Sequence, residues 1–100
     1  MTARARRPPH FKFRLYVAGS TQNSLQAVSN LTALCQAHLA ESHEIEIVDV
    51  FKHPMRALED GIMMTPTLLR VAPNPVTMIV GTLSQPDVVL QALGIEAPAA

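Results

Sequence analysis

The chain has 100 residues, of which 48% are hydrophobic and 16% are charged. This composition is typical of one globular domain with a single core, and it excludes a chain that stays disordered throughout. The eight basic and eight acidic residues cancel, which argues against general affinity for nucleic acid or for membranes.

The first residues of the chain are unusually basic. Arg4, Arg6, Arg7, Lys12 and Arg14 place five of the eight cations within the first fourteen residues. A basic arm for nucleic acid is one interpretation, and a solvated, frayed terminus is the favoured one. We therefore expect a disordered basic leader over residues 1–10, one domain over 11–95 and a flexible tail over 96–100.

Targeting signals and cysteine usage indicate the compartment. No apolar run approaches the roughly 20 residues that span a bilayer, and the start lacks the apolar segment of a signal peptide. The single cysteine, Cys35, cannot form an internal disulfide, which agrees with a reducing compartment. The sequence therefore predicts a cytoplasmic protein that does not contact membranes.

The first half of the chain predicts a strand, a helix and a second strand. Residues 11–17 alternate between apolar and polar, which indicates a strand. Asn23 is expected to cap the helix, with Gln26 completing a capping box. The helix should end near Ala40, and its buried side is expected to contain Leu25, Val28, Leu31, Leu34 or Cys35, and Leu39. Residues 44–50 form the second strand, which should be parallel to the first and covered on both faces, as inside an α/β sheet.

The second half predicts a short helix, a hairpin and a closing helix. His53-Pro54 should open a helix over residues 55–60, with Gly61 ending it. A strand is expected over 67–72 and its hairpin partner over 76–83. The last helix is expected to begin at a Ser84 cap, to bury Val88, Val89, Leu90 and Leu93, and to end before Gly94.

This order of elements is α/β and resembles the thioredoxin-like arrangement, β-α-β followed by β-β-α. In that fold a cis-proline introduces the third strand, and Thr65-Pro66-Thr67 occupies that place. The sequence does not reveal the isomer, so a trans-proline turn stays open as the alternative.

Catalytic chemistry is not indicated. Thioredoxin-like redox enzymes carry C-x-x-C where the long helix begins, and here that place holds residues 20–23, Ser-Thr-Gln-Asn. Cys35 lies about three turns inside the helix and is interpreted as a small core hydrophobe. A metal site at His38, Glu41, His43 and Glu44, and an acid or base at His53, are less favoured than solvated surface roles. We predict no catalytic residue, no cofactor and no metal.

The five methionines of the chain have two interpretations. Adjacent Met63 and Met64 could belong to an adaptable binding surface. Core filling is the favoured interpretation.

Several stretches carry a family resemblance. Leu15-Tyr16-Val17-Ala18-Gly19-Ser20-Thr21 followed by Asn23-Ser24 resembles the L-Y-V-A-G-x-T-x-x-S signature of the KaiB family of circadian clock proteins. Further matches in register are Val48-Asp49-Val50 with Pro54, Thr65-Pro66-Thr67-Leu68, Pro75-Val76, and Gly81-x-Leu83-Ser84. The sensory domain of the histidine kinase SasA carries a similar pattern, but no kinase follows here, so a free-standing KaiB-like protein is preferred.

The resemblance implies a non-enzymatic regulator that binds the hexameric ATPase KaiC, with a SasA-like histidine kinase as a further partner. It also implies two states: a thioredoxin-like state that binds the ATPase, and an alternative fold of the second half that assembles as a dimer or tetramer. An adaptor in stress or histidine-kinase signalling, unrelated to timing, is the alternative function. A thiol oxidoreductase is the third.

The resemblance also marks individual residues. Arg14, Lys52 and Arg70 keep basic character at matching places and are the expected partner-binding residues. Other places lose the family's usual charge: Thr77 and Met78 stand where two basic residues are usual, Gly61 replaces a lysine, and Thr82 replaces an aspartate.

The expected fold-determining residues are Gly19, Pro66, Gly81, Ala92 and Gly94. Clock members carry a glycine and an aspartate at the places of Ala92 and Gly94. Because alanine favours a helix interior over glycine by about 1 kcal/mol, these changes imply a larger population of the thioredoxin-like state.

Overall fold

The computed structural model describes residues 10–95. The elements in chain order are β1 (Phe11–Val17), α1 (Gln22–His38), β2 (His43–Asp49), α2 (Pro54–Glu59), β3 (Thr67–Ala72), β4 (Thr77–Val80) and α3 (Pro86–Leu93). The predicted α/β order is therefore confirmed. Apart from His10, the expected basic leader lies outside the described residues, and so does the expected tail.

The four strands form one sheet in the order β2-β1-β3-β4. β1 is parallel to β2 and antiparallel to β3, and β4 is antiparallel to β3, which confirms the predicted parallel unit and hairpin. The prediction that the second strand lies inside the sheet was wrong, because β2 is an edge strand and Ile47 is 50% exposed. A short apolar run does not distinguish an inner strand from an edge strand.

The alternation in β1 divides the protein into two layers of packing. Phe13, Leu15 and Val17 face a core that also contains buried residues of α1 and α3. Tyr16 faces the opposite side of the sheet, in a smaller cluster with Val48, Ala57 and Leu69. Within residues 10–95, one face of the sheet is thus covered by α1 and α3 and the other by the short helix α2.

Helix α1 begins differently from the prediction. Thr21 is its N-cap and Asn23 lies inside the helix, so the predicted capping box of Asn23 and Gln26 was wrong. Ser24 Oγ instead accepts hydrogen bonds from the Ala18 N–H (3.0 Å) and from the Thr21 hydroxyl (2.9 Å). This polar group is buried because it satisfies two donors at the end of β1 and the start of α1.

The apolar side of α1 also differs at one position. Leu25 is exposed, whereas Ser24, Ala27, Leu31 and Cys35 are buried. Small residues at 24 and 27 let the helix approach the sheet closely, and the helix therefore turns a different side to the core than the large residues alone indicate.

Helix α3 confirms part of the prediction. Val89, Leu90 and Leu93 are buried, but Val88 is exposed. Gln85 rather than Ser84 is the N-cap, without a side-chain hydrogen bond.

The ends of the hairpin partner and of α3 are both set at glycines. β4 covers residues 77–80 and not 76–83, because Gly81 (φ 122) turns the chain away. Gly94 stands just past α3 in the left-handed region (φ 71), as predicted.

The strand-like run at residues 62–69 contains a cis peptide bond. The Thr65-Pro66 bond is cis, so the alternative of a trans-proline turn was wrong. Pro66 is buried, and its carbonyl oxygen accepts a hydrogen bond from the Gly81 N–H (2.9 Å). Pro66 therefore joins the start of β3 to the end of β4.

Candidate partner-binding surface

Large apolar side chains are exposed on and around α2. They are Phe51, Met55, Leu58, Met63 and Met64, here called the 51–64 surface. Met63 alone is 91% exposed. Five such side chains within fourteen consecutive residues form a patch of the kind that marks an interaction site.

Helix α2 is too short to bury more than one side chain. Ala57 packs against the sheet, and Met55 and Leu58 project from the helix into solvent. After the helix, the Ile62 N–H donates to the Ala57 carbonyl oxygen (2.9 Å). This bond closes the turn that leads to the exposed Met63.

A turn after β2 fixes the other end of the surface. The Asp49 carboxylate accepts hydrogen bonds from the N–H groups of Phe51 (2.9 Å) and Gly19 (3.2 Å). It therefore joins the segments that follow β2 and β1. A β-carbon at Gly19 would lie 3.6 Å from Phe51 Cδ2, so Phe51 rests against this glycine.

A shallow cleft of about 290 Å³ lies within this surface. It is lined by Ala18, Val50, Phe51, Ala57, Ile62, Met63, Met64 and Thr65. The cleft borders the residues that follow β1 and β2 and the residue that precedes Pro66. Methionine side chains adapt to the shape of a partner, so this cleft is suited to an apolar side chain from another protein.

An ion-pair network holds α2 against the sheet. Arg14 of β1 pairs with Glu46 of β2 (3.0 Å) and with Asp60 at the end of α2 (2.9 Å), and Arg56 of α2 pairs with Glu46. The two Arg56–Glu46 hydrogen bonds, of 2.8 and 2.9 Å, form a fork. The surface thus has a rigid support beneath it.

The network perturbs the acidity of its members. Hydrogen bonds from Arg56 and Arg14 lower the pKa of Glu46 to about 2. Tyr16 donates to the Asp60 carboxylate (2.5 Å). Burial, with that hydrogen bond, raises the pKa of Tyr16 to about 12. Burial opposes the charge of Asp60, but bonds from Tyr16 and Arg14 outweigh it, and the pKa of Asp60 is lowered.

The three expected partner-binding residues are not brought together. Arg14 is half-buried within the network, whereas Lys52 is exposed beside Phe51. Arg70 is 8% exposed and points to the opposite face of the sheet, where it donates to the carbonyl oxygens of Leu93 and Pro75 (2.9 Å to Pro75). Their roles in binding remain predictions, and in this state Arg70 braces the end of α3.

The favoured interpretation of the methionine pair was wrong. Met63 and Met64 are exposed and do not fill the core. Their apolar run resembles a buried strand, but it follows the short α2, which buries only Ala57, and both side chains lie outside the core. The alternative interpretation, an adaptable surface, was the available signal.

Comparison with known proteins decides the family. The sequence model described as KaiB domain matches residues 14–95. The chain belongs to the KaiB family. The circadian clock protein KaiB3 of Synechocystis is 42% identical over 82 residues, which are 82% of this chain and 80% of the relative. The circadian clock oscillator protein KaiB of Gloeothece citriformis is 39% identical over 85 residues, 85% of this chain and 80% of the relative.

Solved structures confirm the thioredoxin-like fold of this KaiB-family chain. The N-terminal domain of Synechococcus elongatus SasA superposes with a TM-score of 0.72 at 16% identity, covering 100% of this chain and 97% of that domain. Oxidised mitochondrial thioredoxin 3 of Saccharomyces cerevisiae gives 0.68 at 20% identity, covering 87% and 77%. At such identities the likeness concerns the fold alone.

This KaiB-family chain lacks sulfur where thioredoxins carry it. Residues 20–23 at the start of α1 contain no cysteine, and Cys35 is fully buried, where burial raises the pKa of its thiol to about 11. The prediction that Cys35 belongs to the core is confirmed.

Two further findings concern the described residues alone. Over residues 10–95, no three His, Cys, Asp or Glu side chains are grouped so as to hold a metal ion. In the same part of the chain, every helix is too short or too polar to cross a bilayer.

Proposed function

We propose that this KaiB-family protein is a non-catalytic, cytoplasmic regulator that binds a KaiC-type ATPase through the 51–64 surface. A SasA-like histidine kinase is proposed as a further partner. The observation that supports this most is the match to clock KaiB proteins over residues 14–95.

The chemistry of the surface favours a protein partner with an apolar segment. Phe51, Met63 and Met64 line one cleft, and Met55 and Leu58 extend the apolar area along α2. Burying large apolar side chains supplies most of the free energy of such contacts. We infer that the partner inserts apolar side chains between α2 and the segment before Pro66.

The charge beside the surface adds a preference. Lys52 is exposed next to Phe51, whereas the guanidinium of Arg56 is paired with Glu46. We infer that an acidic residue of the partner lies beside Lys52. Arg14 contributes indirectly, because its ion pairs with Glu46 and Asp60 hold the end of α2 in place.

A binding experiment tests the proposal. The purified full chain is titrated against the KaiC homologue of the same organism, with and without nucleotide. Met63→Asp should weaken binding about tenfold or more, because a charge replaces an apolar contact at an interface centre. The matched control is Val88→Asp, which places the same charge on an exposed valine of α3 and should leave affinity unchanged. Equal losses in both variants would contradict the proposed surface.

Two other functions predict different results. A signalling adaptor unrelated to timing would retain no KaiC homologue under any nucleotide condition. A thiol oxidoreductase would reduce insulin disulfides at a useful rate. We expect no such activity, because the one thiol of the described residues is buried and protonated at neutral pH.

A further inference from the structure

The edge strand β4 carries backbone groups that face away from the sheet. The Gly81 N–H donates to the Pro66 carbonyl oxygen (2.9 Å), so Gly81 and then Ile79 take the hydrogen-bonded positions opposite β3. The alternating residues, Met78 and Val80, therefore direct their N–H and C=O groups outward. β4 lies at the end of the strand order, and no other strand within residues 10–95 pairs with its outer edge.

β4 is a short edge strand, and short length is one device that limits strand pairing, but the edge lacks the charged side chains that usually prevent it. Residues 71–86 contain no Asp, Glu, Lys, Arg or His, although charged side chains commonly protect exposed edges. The side chains of Met78 and Val80 are 46% and 52% exposed. The opposite edge differs, since β2 contains the exposed charge of Glu44, a feature of the kind that protects edges.

We propose that β4 pairs antiparallel with β4 of a second copy of this chain, across a two-fold axis at Ile79. This register places Met78 opposite Val80 of the second copy, and Val80 opposite its Met78. Both are outward-facing hydrogen-bonding positions, so each pair exchanges two backbone hydrogen bonds. Each exposed apolar side chain then covers another on the same face of a continuous eight-stranded sheet.

The size of the interface limits its strength. β4 has four residues, so the paired strands bury less area than a standard stable interface. The dimer is therefore weak and depends on protein concentration. The surface 51–64 takes no part in the pairing, so self-association and partner binding involve different residues.

Sedimentation velocity of the full chain tests the pairing. We expect a monomer at about 10 µM and a growing dimer fraction towards about 1 mM, the range in which small interfaces associate. Met78→Lys should abolish the dimer by placing like charges across the axis. The matched control, Ile47→Lys on the exposed edge strand β2, should dimerise like the unmodified chain.

Several outcomes would overturn this inference. They are a monomer at all concentrations, an unchanged dimer in Met78→Lys, or loss of the dimer only in Ile47→Lys. Circular dichroism confirms that each variant is folded. Amide NMR at both concentrations should show changes confined to residues 76–82 and their neighbours in β3, whereas new strand signals in residues 84–94 would assign the association to a different fold.

A cross-link tests the register itself. Ile79 would face its own equivalent in a non-hydrogen-bonded pair, where the Cα atoms lie about 4.5 Å apart, within the range that a disulfide spans. Ile79→Cys should therefore form a disulfide-linked dimer under mild oxidation. The unmodified chain is the control, since its Cys35 is buried. A variant that stays monomeric under these conditions would contradict the two-fold axis at Ile79.

Discussion

At the scale of residues, Glu46 connects three elements with one carboxylate. It accepts hydrogen bonds from Arg14 of β1 and Arg56 of α2, and it lies on β2 itself. Each pair is partly exposed and contributes little alone. Their joint effect is to fix α2, and therefore Met55 and Leu58 of the 51–64 surface, relative to the sheet.

The acidity of Glu46 predicts how stability depends on pH. Its pKa is lowered from 4.5 to about 2 in the folded protein, so its contribution is present above pH 4.5 and is lost as the pH falls towards 2. Glu46→Gln should make the unfolding free energy fall less steeply with pH in this window. The difference from the unmodified chain should be less than about 1 kcal/mol, because the pair is exposed. Urea denaturation at a series of pH values measures this.

The control for this acid titration is Glu59→Gln. Glu59 is an exposed acid of α2 and has no ion pair among those of the described residues. Its replacement removes one carboxylate from α2 without removing a contact of the network, so the comparison isolates the contacts of Glu46 with Arg14 and Arg56. A Glu46→Gln variant with the same acid slope as the unmodified chain would show that the network does not hold in solution.

Prediction from sequence was least successful for single polar residues. Asn23 fits a capping pattern, but the cap falls two residues earlier, because Ser24 is needed between β1 and α1 to accept the Ala18 and Thr21 donors. Arg70 looks like a surface cation, yet it is buried against the Leu93 carbonyl oxygen. Both roles depend on groups that only the folded chain brings close.

At the scale of elements, we expect α3 to decide between the two states that the family resemblance implies. Its end is braced by Arg70, which donates to the carbonyl oxygens of Leu93 and Pro75. Gly94 adopts φ 71, a conformation that costs other residues about 1–2 kcal/mol. Ala92 lies within the helix, where alanine stabilises the helical conformation more than glycine does.

Replacing Ala92 and Gly94 by the residues that clock members carry should shift the population towards the alternative state. The double variant Ala92→Gly and Gly94→Asp should destabilise the thioredoxin-like packing by about 2 kcal/mol in total. If a second packing lies within a few kcal/mol, amide NMR should then show a second set of signals for residues 51–95. The unmodified chain should show one set, with helical shifts over Pro86–Leu93.

The matched control for this element is Ala33→Gly. Ala33 is an exposed residue of α1, in the half that we expect both states to have in common. It should lower the free energy of unfolding by about 1 kcal/mol without adding a second set of signals. Strand-like shifts over residues 84–94 in the unmodified chain would contradict the prediction that this protein favours the thioredoxin-like state.

Elements were predicted well where apolar spacing is regular. The alternation of residues 11–17 and the helical spacing of residues 86–93 are borne out by β1 and α3. The ends of the elements were harder to predict. β4 stops at Val80 because Gly81 turns the chain, whereas the apolar residues that continue to Leu83 favoured a longer strand.

At the scale of the whole molecule, the two proposed interactions involve different surfaces. One face of the sheet holds the main core with α1 and α3. The other face holds α2, with the apolar 51–64 surface exposed above an ion-pair network. The uncharged edge at β4 is separate from both. A scaffold of the thioredoxin kind is used here without a cysteine at the start of α1.

The order of strands explains what the sequence could not reveal at this scale. The βαβ unit and hairpin were predictable from local patterns, but the position of β2 at an edge depends on long-range pairing. The exposure of Met63 likewise depends on the small size of α2. The adjacent methionines therefore hinted at the surface that we propose for binding, but only the fold shows that they are exposed.

NMR mapping of the complex tests the central claim most directly. The ¹⁵N-labelled full chain is titrated with the purified KaiC homologue of its own organism, and amide shifts and intensities are followed. Our account predicts that signals of residues 51–64 change or broaden first, while those of α3 residues such as Val88 change least. Binding that leaves residues 51–64 unchanged, or no binding with any nucleotide, would contradict it.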